Sequence, residues 1–326
     1  MTALLELERI GHVFPLRGRG ADGKPRQLRA LGEVNLSVVA GETLGIVGES
    51  GCGKTTLARV ALRLITPTSG TIRFGGRDIT TASQAALRPL RGELQIVFQD
   101  PYSSLNPRMR VRDIVAEPLR NLGWSRADTD RRVAEVLDIV GLPASYAERY
   151  PHAFSGGQRQ RIGIARALAP SPKLIVADEA VSALDVSIQA QILNLLQDIQ
   201  QRFGLAMLFI SHNLAVVRHV SHRVAVMYLG DVVELASEAE LFVRPLHPYT
   251  VTLLAALPEP DPMHPGAAIA LEGEPPSPLA PPPGCAFHTR CPIARQRCGS
   301  EFPALNEITP GRFARCHFPG EYARPA

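Results

Sequence analysis

The sequence predicts an α/β fold with a mainly parallel sheet, and three observations support this prediction. Short apolar runs alternate with segments of helical periodicity along residues 1–240, a glycine-rich turn joins one such pair, and polar side chains follow several of the runs. Helices cover both faces of a parallel sheet, so its strands read as continuous apolar runs. The predicted strands are 43–47, 93–98, 174–177, 205–210, 223–228 and 232–235, the last two forming a hairpin around Gly230 and Asp231.

Four segments have helical periodicity. In the first, predicted over 54–65, apolar residues recur at helical spacing up to Leu64, which predicts one buried stripe. Gly141 is expected to end the third, predicted over 129–140, as a C-cap. The region from about 101 to 160 therefore reads as a helical insert in the α/β core. The predicted helices are 54–65, 111–119, 129–140 and 186–203.

The composition is that of an ordinary globular protein, with 326 residues, 45% apolar residues and a net charge of +4. We expect one large domain over 1–240 and an appendage over 241–326, joined by a Pro-rich linker at 258–284. The sequence contains no run of 18 consecutive apolar residues, and its N-terminus lacks the pattern of a signal peptide. These features predict a cytosolic protein, and the small basic excess does not require nucleic acid as a partner.

Residues 48–55 fit the pattern G-x-x-x-x-G-K-[ST], which binds phosphate in P-loop proteins. Glycines let the backbone curl so that its N–H groups point at phosphate oxygens, and the helix that follows adds its positive end. Lys54 is expected to hold the β- and γ-phosphates, Thr55 to offer its hydroxyl to Mg²⁺, and Thr56 to reach the α-phosphate. The predicted nucleotide ligands here are Gly48, Glu49, Ser50, Gly51, Cys52, Gly53, Lys54, Thr55 and Thr56.

Polar side chains at strand ends complete a predicted hydrolytic site. Asp178 and Glu179 follow an apolar strand, and the first is expected to hold Mg²⁺ while the second activates water as a general base. Gln99 follows another strand and could contact both Mg²⁺ and the water. His212 follows a third strand and could polarise the γ-phosphate. The carboxyl ends of neighbouring parallel strands meet at one edge of a sheet, which favours this combination.

The sequence Phe154-Ser155-Gly156-Gly157-Gln158 resembles the LSGGQ signature of ABC ATPases. The segment 182–185 looks like that family's D-loop, Gln99 matches the Q-loop, and His212 matches the switch histidine. The resemblance implies an antiparallel β subdomain, a helical subdomain and a second ABC ATPase, identical or paralogous, as partner. It also implies that Phe14 stacks on adenine, and that ATP bound to one subunit is capped by the partner's copies of Ser155, Gly156, Gly157 and Gln158.

The resemblance extends to the oligopeptide and dipeptide importer ATPases. It rests on the segment 98–108, on His247-Pro248-Tyr249-Thr250, and on the segment 273–278 with the Cys-rich tail after it. It implies two transmembrane permease subunits as partners and, indirectly, an extracytoplasmic solute-binding protein. The chain would then lie peripherally on the cytoplasmic face of the cell membrane, and related members import nickel or glutathione.

Four cysteines, Cys285, Cys291, Cys298 and Cys316, crowd into the tail. Their spacings match neither the common zinc ribbons nor the ferredoxins. Four cysteines in a weakly hydrophobic segment suggest that linkage through the cysteines replaces a hydrophobic core in the tail. In the importer subfamily the corresponding tail binds a [4Fe–4S] cluster, so the resemblance favours that ligand. Zn²⁺ and unliganded thiols are the alternatives.

Two other function classes remain open from the sequence. One is a soluble ABC ATPase that acts on nucleic acid or the ribosome. Such proteins usually carry two ATPase domains or a long coiled coil, whereas this chain has one phosphate loop and no sustained heptads. The other is an exporter ATPase, which usually lacks a C-terminal extension of this kind.

Overall fold

The computed structural model describes residues 3–19, 25–256 and 273–322. The described strands are β1 (Ala3–Arg19), β2 (Pro25–Val39), β3 (Thr43–Val47), β4 (Ser69–Phe74), β5 (Arg77–Asp78), β6 (Leu94–Val97), β7 (Leu174–Asp178), β8 (Ala206–Ile210), β9 (Arg223–Tyr228), β10 (Asp231–Ser237), β11 (Asn306–Thr309) and β12 (Arg312–Ala314). The helices are α1 (Lys54–Ala61), α2 (Gln84–Leu87), α3 (Val111–Asn121), α4 (Arg126–Ile139), α5 (Gly156–Leu168), α6 (Val186–Phe203), α7 (Leu214–Val220), α8 (Glu238–Val243), α9 (Pro248–Ala255) and α10 (Gln296–Ser300).

The strands form two sheets. The larger has the order β11-β12-β10-β9-β3-β8-β7-β6. Its five strands from β9 to β6 are parallel, and β10, β12 and β11 extend it in antiparallel fashion. The smaller sheet, β2-β1-β4-β5, is antiparallel throughout. The predicted parallel sheet and the antiparallel β subdomain are both present.

Two hydrophobic cores lie on opposite faces of the large sheet. Ile175 and Ala177 of β7 point into the core shared with α3, α5 and α6, while Leu174 and Val176 point into the core shared with α1 and the small sheet. Successive side chains of a strand point to opposite faces, so a strand buried on both sides must be apolar at every position. This is why the inner strands could be recognised from continuous apolar runs.

The predicted elements from residue 43 to 235 are present, with small shifts at their ends. The helix predicted over 54–65 stops at Ala61, because Arg63 adopts a left-handed backbone with φ 52°. Leu64, predicted to lie on the buried stripe, is therefore half exposed, and that prediction is wrong. The third predicted helix begins earlier, at Arg126, because the Ser125 side chain caps its N-terminus, and Gly141 follows it at φ 69° as expected.

The C-terminal part differs from the expected linker and cysteine-linked tail. Residues 258–272 of the predicted linker lie outside the described residues, and 273–284 contain turns but neither helix nor strand. Beyond them, β12 pairs with β10, and Phe287 is fully buried in the core of the large sheet. The prediction that cysteines replace a core in this tail is therefore wrong, since part of the tail belongs to the main core. In the described ranges, no helix has the length and apolar character needed to cross a bilayer.

Candidate active site

The phosphate loop joins β3 to α1, and Lys54 folds back across it. The Nζ atom of Lys54 donates to the carbonyl oxygens of Gly48 at 2.7 Å and Glu49 at 2.9 Å. A Cβ atom at Gly53, where φ is +105°, would lie only 2.4 Å from the Ala30 carbonyl oxygen. Glycine is required there by both its backbone conformation and the close approach of β2. The loop is thus a curled turn with a buried lysine head at its centre.

Asp178 ends β7 beside the first turn of α1. Thr55 Oγ1 donates to Asp178 Oδ1 at 3.3 Å, so the two predicted metal ligands lie side by side. Burial raises the pKa of the Asp178 carboxyl group, since the charged form loses solvation and the Thr55 hydrogen bond only partly compensates. A buried carboxylate with one weak partner is suited to a cation, which would supply the missing charge.

Glu179 contacts the two other side chains that were predicted to be catalytic. Gln99 Nε2 donates to Glu179 Oε2 at 2.9 Å, and His212 Nδ1 lies 3.4 Å from Glu179 Oε1. The backbone of Glu179 is left-handed, with φ 49°, and its N–H donates to the Ile210 carbonyl of the neighbouring strand at 2.9 Å. Non-glycine residues in this conformation are strained and concentrate at functional sites. The loops after β6, β7 and β8 therefore bring Gln99, Glu179 and His212 together.

A cleft of about 490 Å³ opens over this loop. Six of the nine predicted phosphate-loop ligands border it, together with six residues for which the sequence analysis predicted no role in the site. Phe14, predicted to stack on adenine, is on its wall and meets the ring of His12 edge-on at 4.4 Å. The lining residues are Phe14, Leu28, Arg29, Ala30, Ser50, Gly51, Gly53, Lys54, Thr55, Thr56, Gln99, Glu179, Leu229, Gly230 and Pro278.

The signature segment lies away from this cleft. Ser155 and Gln158 form a capping box at the start of α5, and Ser155, Gly157 and Gln158 border a different surface cavity. A Cβ atom at Gly157 would lie 2.5 Å from Ile188 Cγ2, so glycine is needed there for the contact between α5 and α6. The structure therefore does not bring Ser155, Gly156, Gly157 and Gln158 to the chain's own nucleotide cleft.

The four cysteines of the tail meet around one small cavity. Cys285, Cys291, Cys298 and Cys316 all border it, along with His288 and His317, and all four thiols are free. Burial raises the pKa of the Cys285, Cys291 and Cys316 thiols, to about 11 for Cys291 and about 12 for Cys316. In the described part of the chain, however, no three or more His, Cys, Asp or Glu side chains are arranged to hold a metal ion.

Sequence reasoning missed three residues of the C-terminal part that reach the nucleotide site. Pro278 borders the cleft, while Tyr249 and Arg290 contact Glu49 of the phosphate loop. Tyr249 lies in the segment 247–250 and Pro278 in the segment 273–278, and the sequence marks both segments only by their resemblance to the importer subfamily. Arg290 carried no signal except its place next to Cys291.

Comparison with known proteins agrees with this geometry. The family model described as ABC transporter matches residues 31–182, and the model described as oligopeptide/dipeptide transporter, C-terminal region, matches residues 233–298. A probable peptide ABC transporter ATP-binding protein of Sinorhizobium fredii is 53% identical over 97% of this chain and 90% of its own length. An oligopeptide transport ATP-binding protein of Bacillus subtilis is 50% identical over 96% of this chain and 97% of its own.

Solved structures give the same result for the fold. A dimeric ATP-binding cassette in a post-hydrolysis state with ADP and Pi superposes with a TM-score of 0.64 at 28% identity, covering 72% of this chain and 98% of that one. A component of an ABC transporter complex from Clostridium perfringens also superposes with a TM-score of 0.64, at 26% identity, covering 78% of this chain and 95% of that one. The chain therefore belongs to the ATP-hydrolysing subunits of ABC transporters, and it carries the C-terminal region of the oligopeptide/dipeptide group.

Proposed function

We propose that this chain supplies the energy for an importer of oligopeptides or dipeptides by hydrolysing ATP. The observation that carries the proposal is the combination of an ABC nucleotide cleft with an oligopeptide/dipeptide C-terminal region in one chain. Relatives that are about half identical over nearly the whole chain bear the names of peptide and oligopeptide transport proteins. Nickel and glutathione remain the alternative cargoes, and a soluble ATPase acting on nucleic acid has no specific observation in its favour.

In this proposal the triphosphate of ATP lies across the phosphate loop. The loop N–H groups and Lys54 bind the β- and γ-phosphates, and Phe14 stacks on the adenine. Thr55, Asp178 and Gln99 would hold Mg²⁺, which would neutralise negative charge on the phosphates. The raised pKa of Asp178 supports this role, because a divalent cation would stabilise the carboxylate that burial disfavours.

Glu179 is the general base of the proposed reaction. Its carboxylate stands at the edge of the cleft, between the amide of Gln99 and the imidazole of His212. A water molecule in line with the γ-phosphate would give its proton to Glu179 as its oxygen bonds to the γ-phosphorus. The bond from the γ-phosphorus to the bridging oxygen would break at the same time, and ADP would leave with that oxygen. Gln99 orients that water, and His212 stabilises the charge that develops on the γ-phosphate.

The active unit is a pair of ATPase subunits. The segment from Ser155 to Gln158 does not border the chain's own cleft, so its anion-binding helix end serves the cleft of a partner. The partner is a second copy or a paralogue. A solved relative of this fold is described as dimeric, which agrees with such a pair.

The remaining partners are two membrane permeases, with a solute-binding protein acting on them from outside. The ATPase domain spans 1–240, its helical subdomain spans about 101–160, and the extension spans 241–326. In this assembly the chain lies peripherally on the cytoplasmic face of the membrane. The helices α3, α4 and α5, inserted between β6 and β7, transmit the closing of the ATPase pair to the permeases.

The four cysteines of the extension form a metal centre in this proposal, with [4Fe–4S] as the first choice and Zn²⁺ as the second. Their convergence on one cavity supports it, and four thiols suit either centre. Iron, zinc and acid-labile sulfide should be measured in protein purified without oxygen. Metal at one centre per chain supports the assignment, whereas five titratable thiols in the unfolded chain (Cys52 and the four of the tail) with no metal would refute it.

Uptake by intact cells tests the cargo. A strain of the source organism lacking this gene should lose uptake of radiolabelled trialanine. The wild-type gene should restore it, and a gene encoding Glu179→Gln should not. Unchanged trialanine uptake combined with lost uptake of nickel or glutathione would move the assignment to that solute. Unchanged uptake of all three would contradict the proposed importer.

A further inference from the structure

Glu49 places a carboxylate inside a loop that binds phosphate, and the C-terminal extension neutralises it. Arg290 donates to both carboxylate oxygens of Glu49, at 3.0 Å from Nη1 and 3.1 Å from Nη2. The side chain of Arg290 is only 5% exposed and that of Glu49 is 24% exposed, so this two-pronged ion pair is partly shielded from water. Without Arg290, the Glu49 charge would repel the triphosphate next to it.

The backbone of Glu49 is held as well as its side chain. Its N–H donates to Tyr249 Oη at 3.0 Å, and its carbonyl oxygen accepts from Lys54 Nζ at 2.9 Å. Glu49 is therefore fixed at three points, two of which come from the extension. Lys54 takes its position from the same residue, so a shift of Glu49 would move the phosphate-binding ammonium group.

An aromatic cluster keeps the two residues of the extension in place. Tyr249 is fully buried, with its ring centroid 4.7 Å from that of Tyr228 and 5.3 Å from that of Phe287. Arg290 also donates to Tyr228 Oη at 3.4 Å. Burial raises the pKa of the Tyr249 hydroxyl, so it stays neutral and can accept from the Glu49 N–H. Rigid support of this kind is what a positioning role requires.

We propose that Tyr249 and Arg290 are positioning residues for the ATPase reaction, which hold the phosphate loop in its nucleotide-binding conformation and cancel the charge of Glu49. The affinity of the site for Mg·ATP is then set in part by the C-terminal extension. This role goes beyond energising an importer, and it does not depend on which solute is carried.

The test is a charge-cancellation experiment on the full chain, with Kd measured for the Mg²⁺ complex of the non-hydrolysable analogue AMP-PNP. Arg290→Gln should raise Kd by about tenfold, as expected for one lost charge-assisted interaction. Adding Glu49→Gln should recover most of that loss, because the uncompensated charge is then gone. In ATP hydrolysis, Arg290→Gln should raise KM with kcat nearly unchanged, since binding rather than chemistry is affected.

Arg297→Ala is the matched control, because Arg297 pairs with Glu301 on the exposed surface of the same extension. It should leave Kd unchanged. Tyr249→Phe, which removes only the hydroxyl, gives an independent test and should also raise Kd severalfold. A folded Arg290→Gln protein with wild-type affinity, or a double variant weaker than Arg290→Gln alone, would overturn the proposal. If Arg290→Gln does not fold, unchanged affinity in Tyr249→Phe overturns it.

Discussion

The amide of Gln99 donates to the carboxylate of Glu179 at 2.9 Å, although 80 residues separate them in the chain. The contact joins the end of β6 to the end of β7. It fixes one carboxylate oxygen and leaves the other near His212. Glu179 is therefore oriented by its neighbours at the mouth of the nucleotide cleft.

Replacing Glu179 by glutamine should abolish turnover and preserve nucleotide binding. The amide keeps the shape of the side chain but cannot accept the proton of water, and loss of a general base costs about a hundredfold or more in rate. Phosphate release should fall accordingly while the Kd for Mg·ATP stays near that of the wild type. Mixed with ATP, this variant should accumulate as a closed dimer on size-exclusion chromatography.

Glu93→Gln is its control. Glu93 precedes β6, so it lies at the opposite end of the strands from Glu179, and it pairs with the exposed Lys173. The Glu93→Gln variant should hydrolyse ATP at the wild-type rate. Steady turnover by Glu179→Gln within an assembled transporter would refute the role assigned to Glu179.

Lys54→Ala should weaken nucleotide binding itself. Lys54 donates to the carbonyls of Gly48 and Glu49, and we propose that it also contacts the phosphates, so its loss should remove a charge and loosen the loop. Charge-assisted hydrogen bonds contribute about 1.5–3 kcal/mol, which predicts a Kd about ten to a hundred times higher. Titration calorimetry would measure it, with the exposed Lys173→Ala as control. Equal affinity in both variants would contradict the prediction.

Asp178→Asn should stabilise the nucleotide-free protein at neutral pH. Burial raises the pKa of Asp178 above its ordinary value of 3.8, so the folded state binds the proton more tightly than the unfolded state. The free energy of unfolding then falls as the pH rises from the ordinary pKa of Asp178 through its raised pKa. At pH 7 the variant, which retains an acceptor for Thr55, should melt about 1–3 °C higher.

The gain from Asp178→Asn should vanish at pH values below 3.8, where Asp178 is protonated in both states. At neutral pH, Mg·ATP should raise the melting temperature of the wild type above that of the variant, because only the carboxylate attracts the cation. Asp130→Asn, on the exposed surface of α4, serves as control and should leave the melting temperature unchanged. A variant that melts lower at pH 7 would contradict the prediction.

Gly157→Ala should destabilise the contact between α5 and α6. Its Cβ atom would lie 2.5 Å from Ile188 Cγ2, and overpacking of this kind costs about 1–3 kcal/mol in the free energy of unfolding. Gly163→Ala is the matched control, because the same helix leaves open space there, and it should stabilise by about 0.5–1 kcal/mol. Urea denaturation measures both. Recovery in a Gly157→Ala, Ile188→Ala double variant would identify the steric cause.

Much of the parallel sheet could be predicted because its strands are buried on both faces. Ile175 and Val176 face opposite cores, yet both must be apolar, so the run is visible in the sequence. The strands β1 and β2 gave no such signal. Their pairing contains several register shifts, which break the alternation of apolar and polar residues that marks a half-buried strand.

The residues proposed to be catalytic stand out in the sequence because each follows a recognisable strand or lies in a fixed motif. The contacts of the extension could not. Arg290 and Glu49 are separated by 241 residues, and nothing local to either indicates the other. The strand β12 has only three residues, too few for a periodic pattern, and it is stabilised by pairing with β10 rather than by its own composition.

The attachment of β12 to β10 has a genetic consequence. A premature stop codon before Asn306 would leave the edge of β10 without its neighbour and would remove Arg315, whose guanidinium donates to the Val232, Pro303 and Glu33 carbonyls. Bare strand edges favour aggregation. Such a truncated product should be found in inclusion bodies or be degraded, so a stop codon at that point would be as damaging as one in the phosphate loop.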